Sequence, residues 1–437
     1  MPPTLVDRLA AVVGADHVRS GVALSPYVVE GRTPEAAVLP ASVEHVRAIL
    51  AVAADAGIPV VPWGGGTASA VGTPPSRSGI VLSLARMNRI LEHEPGDLTV
   101  TVEAGVTVTQ LQAALGARGQ WLSLDPPDPD RATLGGVVAA NASGSRRHLY
   151  GTARDLLIGV TLVTAEGDVV RGGGKVVKNV AGYDLPKLFV GSYGTLGVIV
   201  ELTFRLRPRP DAERFVAVAF PNLKEAGAAI RSVMSGDLVP VALDLLDGDA
   251  ARVLGLASAA AVVVGFDGLP EQIDWQAAEL GRLVAAHGGR VLGPIADEAV
   301  AHLAVAARAA YGAPAAVMRL SVLPLQVADA MDQGAAAARA RGLQSAWSAH
   351  AGVGVVTAAL AAPARNGAAD VARVLTDWRT VARGTGGSAT LESAPLAVKA
   401  SLPVWDDAGA AGRVMQRIKA QLDPKNVLNP GRFVAGI

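Results

Sequence analysis

Between Pro126 and Pro210 the chain reads PPDPDRATLGGVVAANASGSRRHLYGTARDLLIGVTLVTAEGDVVRGGGKVVKNVAGYDLPKLFVGSYGTLGVIVELTFRLRPRP. Glycines cluster there beside small or hydroxylated residues, and apolar runs separate the clusters. A second, shorter cluster, Gly64-Gly65-Gly66-Thr67, stands upstream. Glycine has no Cβ to hold a ligand away from the main chain, and it adopts the turns that aim successive N–H groups at anionic oxygens. Two such segments suit a large flat ligand that carries a diphosphate.

Two common phosphate motifs can be tested against these clusters. A P-loop needs a hydroxyl directly after its Gly-Lys pair, but Gly174-Lys175 is followed by Val176. A dinucleotide fingerprint needs Gly-x-Gly-x-x-Gly opening a helix. The glycines of GSYGTLG stand at 191, 194 and 197 and lead into a strand-like run instead. Neither motif fits, and what remains is a bipartite backbone cradle whose composition argues for a flavin nucleotide.

The elements that must position these loops are legible around them. Residues 42–56 have helical spacing, an N-cap in Ser42 and a stop at Gly57. A short strand, 59–62, runs into the triple glycine. Ile80 to Leu84, RILEHE and LTVTVEAG read as strands, and 107–115 as a helix. Further strands are expected near 158–163 and 197–206. Arg207-Pro208-Arg209-Pro210 marks a domain boundary. Beyond it FVAVAF, VALDLL, AAVVVGF and AAVMRLSVL alternate with alanine-rich helices near 223–234, 271–286, 297–310 and 325–341. That texture predicts an α+β domain whose helices cover one face of a largely antiparallel sheet. A last helix, MQRIKAQL, stops at Asp423-Pro424. The expected division is 1–210, 211–400 and a terminal segment 401–437 that packs back on the first domain.

Composition narrows the chemistry. The 437 residues are 50% hydrophobic and 18% charged, with 39 basic and 39 acidic side chains. Zero net charge argues against nucleic acid as a partner. There is no cysteine, hence no disulfide, no thiolate-bound zinc and no iron–sulfur cluster within this chain. Electrons from any redox step must leave to another chain, a quinone or oxygen. The start of the sequence lacks a basic region followed by an apolar one. The longest apolar runs, Val253 to Phe266 and Ala351 to Ala364, fall short of the ~20 residues a spanning helix needs. A cytoplasmic protein without a membrane span is expected, with membrane association only through partner subunits.

The order of the clusters resembles the p-cresol methylhydroxylase/vanillyl-alcohol oxidase superfamily of FAD-linked oxidases. The matching pieces are Val60 to Thr67, Ala132 to Gly136, Asn141 to Gly144, Tyr150-Gly151, Arg154-Asp155, Lys178-Asn179, Gly182-Tyr183-Asp184, Gly191 to Ile199 and Asp423 to Gly431. Within that superfamily, GGGKVVKNVAGYDLPKLFVGSYGTLG is most similar to an FAD-binding subunit of bacterial glycolate oxidases (glycolate dehydrogenases). The resemblance implies an α+β protein: a two-subdomain FAD-binding domain and an α+β cap. Cofactor contacts are implied at Pro62, Trp63, Gly64, Gly65, Gly66 and Thr67, with the pyrophosphate against this loop and the segment from Gly135 to Gly144. Further contacts are implied at Pro126, Thr133, Leu134, Gly135, Gly136, Ala140, Asn141, Ser143 and Gly144. The remaining ones are Tyr150, Gly151, Arg154, Asp155, Gly194, Thr195, Gly197, Val198, Ile199 and Asn429. Relatives with a tethered flavin use His or Cys; here Thr67 follows the triple glycine and no cysteine exists, so non-covalent FAD is expected.

A small 2-hydroxy acid is the substrate this resemblance implies. Its carboxylate calls for an arginine, whose planar fork pairs with it in bidentate fashion, and Arg319 in VMRLSVLP is the candidate. A sheet arginine turned to solvent is the alternative. Related 2-hydroxy-acid enzymes carry a metal site with the pattern His-x-Gly-Asp-Gly, a second His seven positions on, and a later Glu-His pair. This chain has His350-Ala351-Gly352-Val353-Gly354, then Thr357, then Glu392-Ser393. One His and one Glu leave a metal's coordination shell largely unfilled, so no metal is expected. His350 remains a candidate base or substrate ligand, and a packed core histidine is the other reading. Tyr183 and Lys178 are further candidates near the flavin ring. Three functions stay open: a subunit that oxidises a 2-hydroxy acid alongside a paralogous FAD subunit and an iron–sulfur subunit; a stand-alone oxidase or dehydrogenase of another small substrate; and an FAD-containing relay or structural subunit.

Overall fold

The computed structural model describes residues 3–174, 183–361 and 367–437. Contacts divide the chain into two compact units. The first comprises 1–142, 152–209 and 407–437; the second comprises 143–151 and 210–406. This differs from the division expected from sequence at Pro210, which falls in the second unit, and at two longer stretches. Residues 143–151 belong to the second unit because Arg146 forms a bidentate pair with Glu213 (2.8 and 2.6 Å) and the Tyr150 hydroxyl donates to Asp267 (2.5 Å). Residues 401–406 stay there too, with Arg379 and Arg383 held on Asp406 at 3.0 and 2.8 Å.

In the first unit the helix Val43–Ala56 begins where Ser42 accepts from His45 N–H and ends at Gly57 in the left-handed conformation, φ 64°. Its buried face, Val46, Ile49, Leu50 and Ala53, joins the core. The strands Ala36–Val38, Ile80–Ser83 and Val60–Trp63 run parallel, and Val18–Arg19 adds an antiparallel edge. A second sheet is antiparallel, in the order Ile90–Glu94, Thr99–Glu103, Val198–Arg205, Leu157–Val163, Val169–Gly173. Apolar side chains from both sheets form one cluster. The terminal segment enters this unit through the helix Ala410–Leu422, and Leu428 bridges Val60.

The second unit is built on an eight-stranded antiparallel sheet. Its order is Arg290–Pro294, Ala212–Phe220, Ala260–Gly268, Ala242–Asp247, Ser345–His350, Val355–Leu360, Ala316–Ser321, Ser388–Ser393. The helices Leu223–Ser235, Pro270–Ala285, Val327–Arg339 and Ala368–Gly384 bury one face. Trp347 and Trp378 meet edge to face there at 4.8 Å. Gly334 is required beneath them, since a Cβ would lie 2.1 Å from Trp347 Cη2. The helix expected at 297–310 is broken into Asp297–His302 and Ala306–Ala309, because Val305 leaves helical dihedrals (φ −118°, ψ 2°).

Candidate functional site

The first unit gathers its glycine clusters. The strand Val60–Trp63 delivers the 64–67 loop onto residues 131–133. A Cβ on Gly64 would lie 2.1 Å from Thr133 Oγ1, and one on Gly65 would lie 1.7 Å from the Arg131 carbonyl oxygen. Neither position tolerates a side chain. Among the described residues, the N–H groups from Gly64 to Ala68 donate no hydrogen bond. Thr133 caps the helix Leu134–Ala140, and Asn141 closes it in the left-handed conformation. Leu134 and Gly135 N–H are engaged by the carbonyls of Val106 and Ala104 (both 2.8 Å), and Gly136 N–H by Thr133 Oγ1. Gly135 thus serves close packing, with a Cβ there only 2.7 Å from that of Ala104.

The third cluster closes on the first. Tyr193 and Gly194 both have positive φ, and a Cβ on Gly194 would approach Pro62 Cγ to 3.2 Å. Asn429 donates through Nδ2 to the Tyr193 carbonyl at 2.8 Å. Thr195 is buried, its hydroxyl on the Ser192 carbonyl. Trp63 packs edge-on against Tyr27. Asn429 Oδ1 and Asn141 Oδ1 are buried without a partner among the described residues. Orphaned acceptors, idle loop N–H groups and glycines pressed against backbone fit a ligand bearing both phosphate oxygens and hydrogen-bonding ring edges, and FAD is such a ligand.

Other expected contacts have visible structural roles. Asp155 and Thr152 form a capping box, and Arg154 donates to the Lys187 carbonyl. Gly197, Val198 and Ile199 lead the long strand of the antiparallel sheet, and a Cβ on Gly197 would meet Leu162 at 2.6 Å. Pro126 is buried and Ala140 lies in the capped helix. Ser143, Gly144, Tyr150 and Gly151 sit in the second unit, where Ser143 Oγ is buried without a partner among the described residues. Tyr183 is 93% exposed. Lys178 lies outside the described residues.

The second unit carries a polar band on the face opposite its four helices. Register places Arg319 opposite Thr357 and Thr357 opposite Ser348. One step along, His350 stands opposite Asp244. Paired residues and their i+2 neighbours share a face, so Arg319 and His350 project from the same side, two strands apart. His350 Nδ1 lies 2.6 Å from Asp244 Oδ1. Glu392, nearly buried, ion-pairs with Arg308 from the helix Ala306–Ala309 and with Arg319 at 3.5 Å. Among the described residues no three His, Cys, Asp or Glu side chains are grouped to hold a metal ion.

Three residues of this band escape sequence reasoning. Asp244 carried one signal, an acid inside the apolar alternation VALDLL that only a partner would keep buried. Arg308 sits in an alanine-rich stretch with no pattern pointing to Glu392. His148 comes from RRHLYG, and its ring lies over Gly352, where a Cβ would be 2.1 Å from Nδ1. Burial pushes the His148 imidazole below its ordinary pKa, with Asp244 opposing the shift.

Residues 34–173 match an FAD binding domain, and residues 209–433 match the C-terminal domain of FAD linked oxidases. The sequence is 36% identical over 214 residues to glycolate oxidase subunit GlcD of Bacillus subtilis, covering 49% of this chain and 46% of that one. It is 38% identical over 232 residues to the D-lactate dehydrogenase of Archaeoglobus fulgidus, 52% of either chain. The chain spans about half the length of the curated relatives it matches. Among solved structures, p-cresol methylhydroxylase with substrate bound aligns with a TM-score of 0.77 at 19% identity, over 99% of this chain and 96% of that one. The 4-ethylphenol oxidase of Gulosibacter chungangensis aligns with a TM-score of 0.75 at 20% identity, over 99% and 96%. At these identities the likeness is one of fold. No helix among the described residues is long and apolar enough to cross a membrane.

Proposed function

This chain belongs to the FAD-linked oxidases, and from that membership we propose that it holds FAD non-covalently and oxidises a small 2-hydroxy acid, glycolate or D-lactate, to the 2-oxo acid. The assembly proposed is a glycolate oxidase-type complex with a paralogous FAD subunit and an iron–sulfur subunit, in the cytoplasm. The absence of cysteine from this sequence makes an external electron carrier necessary unless quinone or oxygen accepts directly.

One observation carries the substrate reading: Arg319 and His350 share one face of one sheet, two strands apart. Two strand spacings (about 10 Å) and a two-residue offset along the strand (about 7 Å) set their Cα atoms about 12 Å apart, a gap that the two side chains and a two- or three-carbon acid fill together. The Arg319 guanidinium pairs with the substrate carboxylate, and Glu392 fixes its orientation. Hydroxyl proton removal falls to His350 Nε2, since Nδ1 is engaged by Asp244. FAD, when bound, would supply the acceptor for the α-carbon hydrogen and its electron pair. The 64–67 loop, Asn141, Gly194 and Asn429 would hold it. No divalent metal takes part in this scheme: Glu392 is paired with Arg308 and Arg319, and one remaining His leaves a metal's coordination shell largely unfilled.

A second reading, an FAD-containing relay subunit without turnover of its own, is favoured by Thr357 and Ser393 at the positions where metal-dependent relatives carry the second His and the His of the Glu-His pair. Anaerobic titration separates the two. Glycolate or D-lactate bleaches the flavin of the purified protein if it oxidises the acid itself. Bleaching only with partner subunits present supports the relay. A colourless protein that takes up no FAD overturns both.

A further inference from the structure

We propose that Asp244 is the positioning residue of His350, holding the ring as the tautomer that leaves Nε2 free to accept the substrate proton. The inference deepens the 2-hydroxy-acid reading above and rests on it. Asp244 is only 2% exposed, in a strand whose neighbours Ala242, Leu243, Leu245 and Leu246 are all buried apolar residues. A carboxylate in such surroundings costs several kcal/mol unless it is partnered. Its partner is His350 Nδ1 at 2.6 Å, a short charge-assisted contact. The two residues are direct cross-strand neighbours, so sheet register sets the geometry.

The surroundings leave the pair little freedom. The His148 ring lies against Gly352, two residues beyond His350, so closely that no Cβ fits there. Asp244 Oδ2 and His148 Nδ1 are both buried without a partner among the described residues. An imidazole whose Nδ1–H is donated to a carboxylate has its Nε2 lone pair available, and that is the arrangement a proton acceptor needs. In the balanced step, the hydroxyl proton of the acid passes to Nε2. The hydrogen on the α-carbon leaves with its electron pair to FAD, and the 2-oxo acid forms. The Asp244 carboxylate, on Nδ1, offsets the imidazolium charge.

The test uses the FAD-loaded protein and the variants Asp244→Asn, His350→Gln and the double variant. The rate of anaerobic flavin reduction by D-lactate or glycolate should fall about 10²- to 10⁴-fold in Asp244→Asn, with the Kd of the acid changed less than about threefold. The double variant should be no slower than His350→Gln alone, as for residues that act as one unit. Additive losses, or an Asp244→Asn rate within about threefold of the parent, overturn the proposal. A second readout does not depend on turnover: ¹⁵N spectra of labelled histidines in the parent protein, followed with rising pH until the ring is neutral. His350 should then carry its proton on Nδ1, and Asp244→Asn should abolish that preference. A neutral ring protonated on Nε2 overturns the positioning role whichever acid is oxidised. Nδ1 protonation without flavin reduction by any 2-hydroxy acid leaves the positioning role standing and sinks the substrate reading.

Discussion

Lys419 and Asp423 form a buried ion pair one turn apart on the C-terminal helix, with Nζ 2.6 Å from Oδ2. The ammonium also donates to the carbonyls of Thr195 (2.8 Å) and Leu428 (2.7 Å). Asp423 in turn accepts from Val427 and Leu428 N–H at 2.9 and 2.7 Å. One pair therefore fixes the terminal helix, the GSYGTLG turn and the segment that delivers Asn429.

Removing one partner leaves an uncompensated buried charge. Lys419→Met should destabilise the first unit by about 3–5 kcal/mol, read as a lower Tm and denaturation midpoint. Burial already pushes the Lys419 pKa below its ordinary value, against the pull of Asp423. FAD retention should weaken with it, because Asn429 and Thr195 lose a common anchor. An unchanged Tm would show that the carbonyl contacts are dispensable.

Gly65→Ala tests the cradle. A Cβ 1.7 Å from the Arg131 carbonyl oxygen cannot be accommodated by a side-chain rotation, so the 64–67 loop must move. The purified variant should show a flavin-to-protein absorbance ratio several-fold below the parent. Full FAD occupancy would place the cofactor elsewhere.

Asp247 gives a pH signature. Burial pushes its carboxyl up to about 7 from 3.8, against the hydrogen bond it accepts from Ala250 N–H. Between these values the folded chain holds a proton that the unfolded chain has released. Stability from this group is therefore full below about pH 4 and is lost as pH rises through 7. The slope is at most about 1.4 kcal/mol per pH unit. Asp247→Asn keeps the helix cap and should flatten that slope in urea denaturation between pH 5 and pH 7. An identical slope would refute the assignment.

Arg319→Leu should raise KM for the 2-hydroxy acid about 10- to 200-fold, a loss of about 1.5–3 kcal/mol for a charged hydrogen bond. A neutral 1,2-diol of the same length should be far less affected. Equal losses for both would place Arg319 in packing rather than in carboxylate recognition.

The cradle was readable in advance because backbone approach imposes residue type. Gly64 and Gly65 admit no side chain in the fold, and Gly194 combines a positive φ with a 3.2 Å approach to Pro62, so composition and order already pointed to the ligand. The helix Val43–Ala56 was legible for a related reason: its Ser42 cap, its Gly57 stop and its buried stripe are local properties. The break at Val305 was not, since nothing local in an alanine-rich stretch says where tertiary packing will interrupt it.

The polar band of the second unit was a different case. Sequence named Arg319, His350 and Glu392 one at a time, at positions spread over 74 residues, but it offered no reason to join His350 to Asp244 or Glu392 to Arg308. Those partners lie 106 and 84 residues away along the chain. Their proximity follows from the strand order and register of an eight-stranded antiparallel sheet, a non-local arrangement that no window of sequence contains. By itself the sequence determined the family, the fold class and the kind of ligand, because glycine spacing acts through the local backbone. Only the tertiary structure decided which acid meets which base, because buried charges settle according to the neighbours that strand pairing brings them.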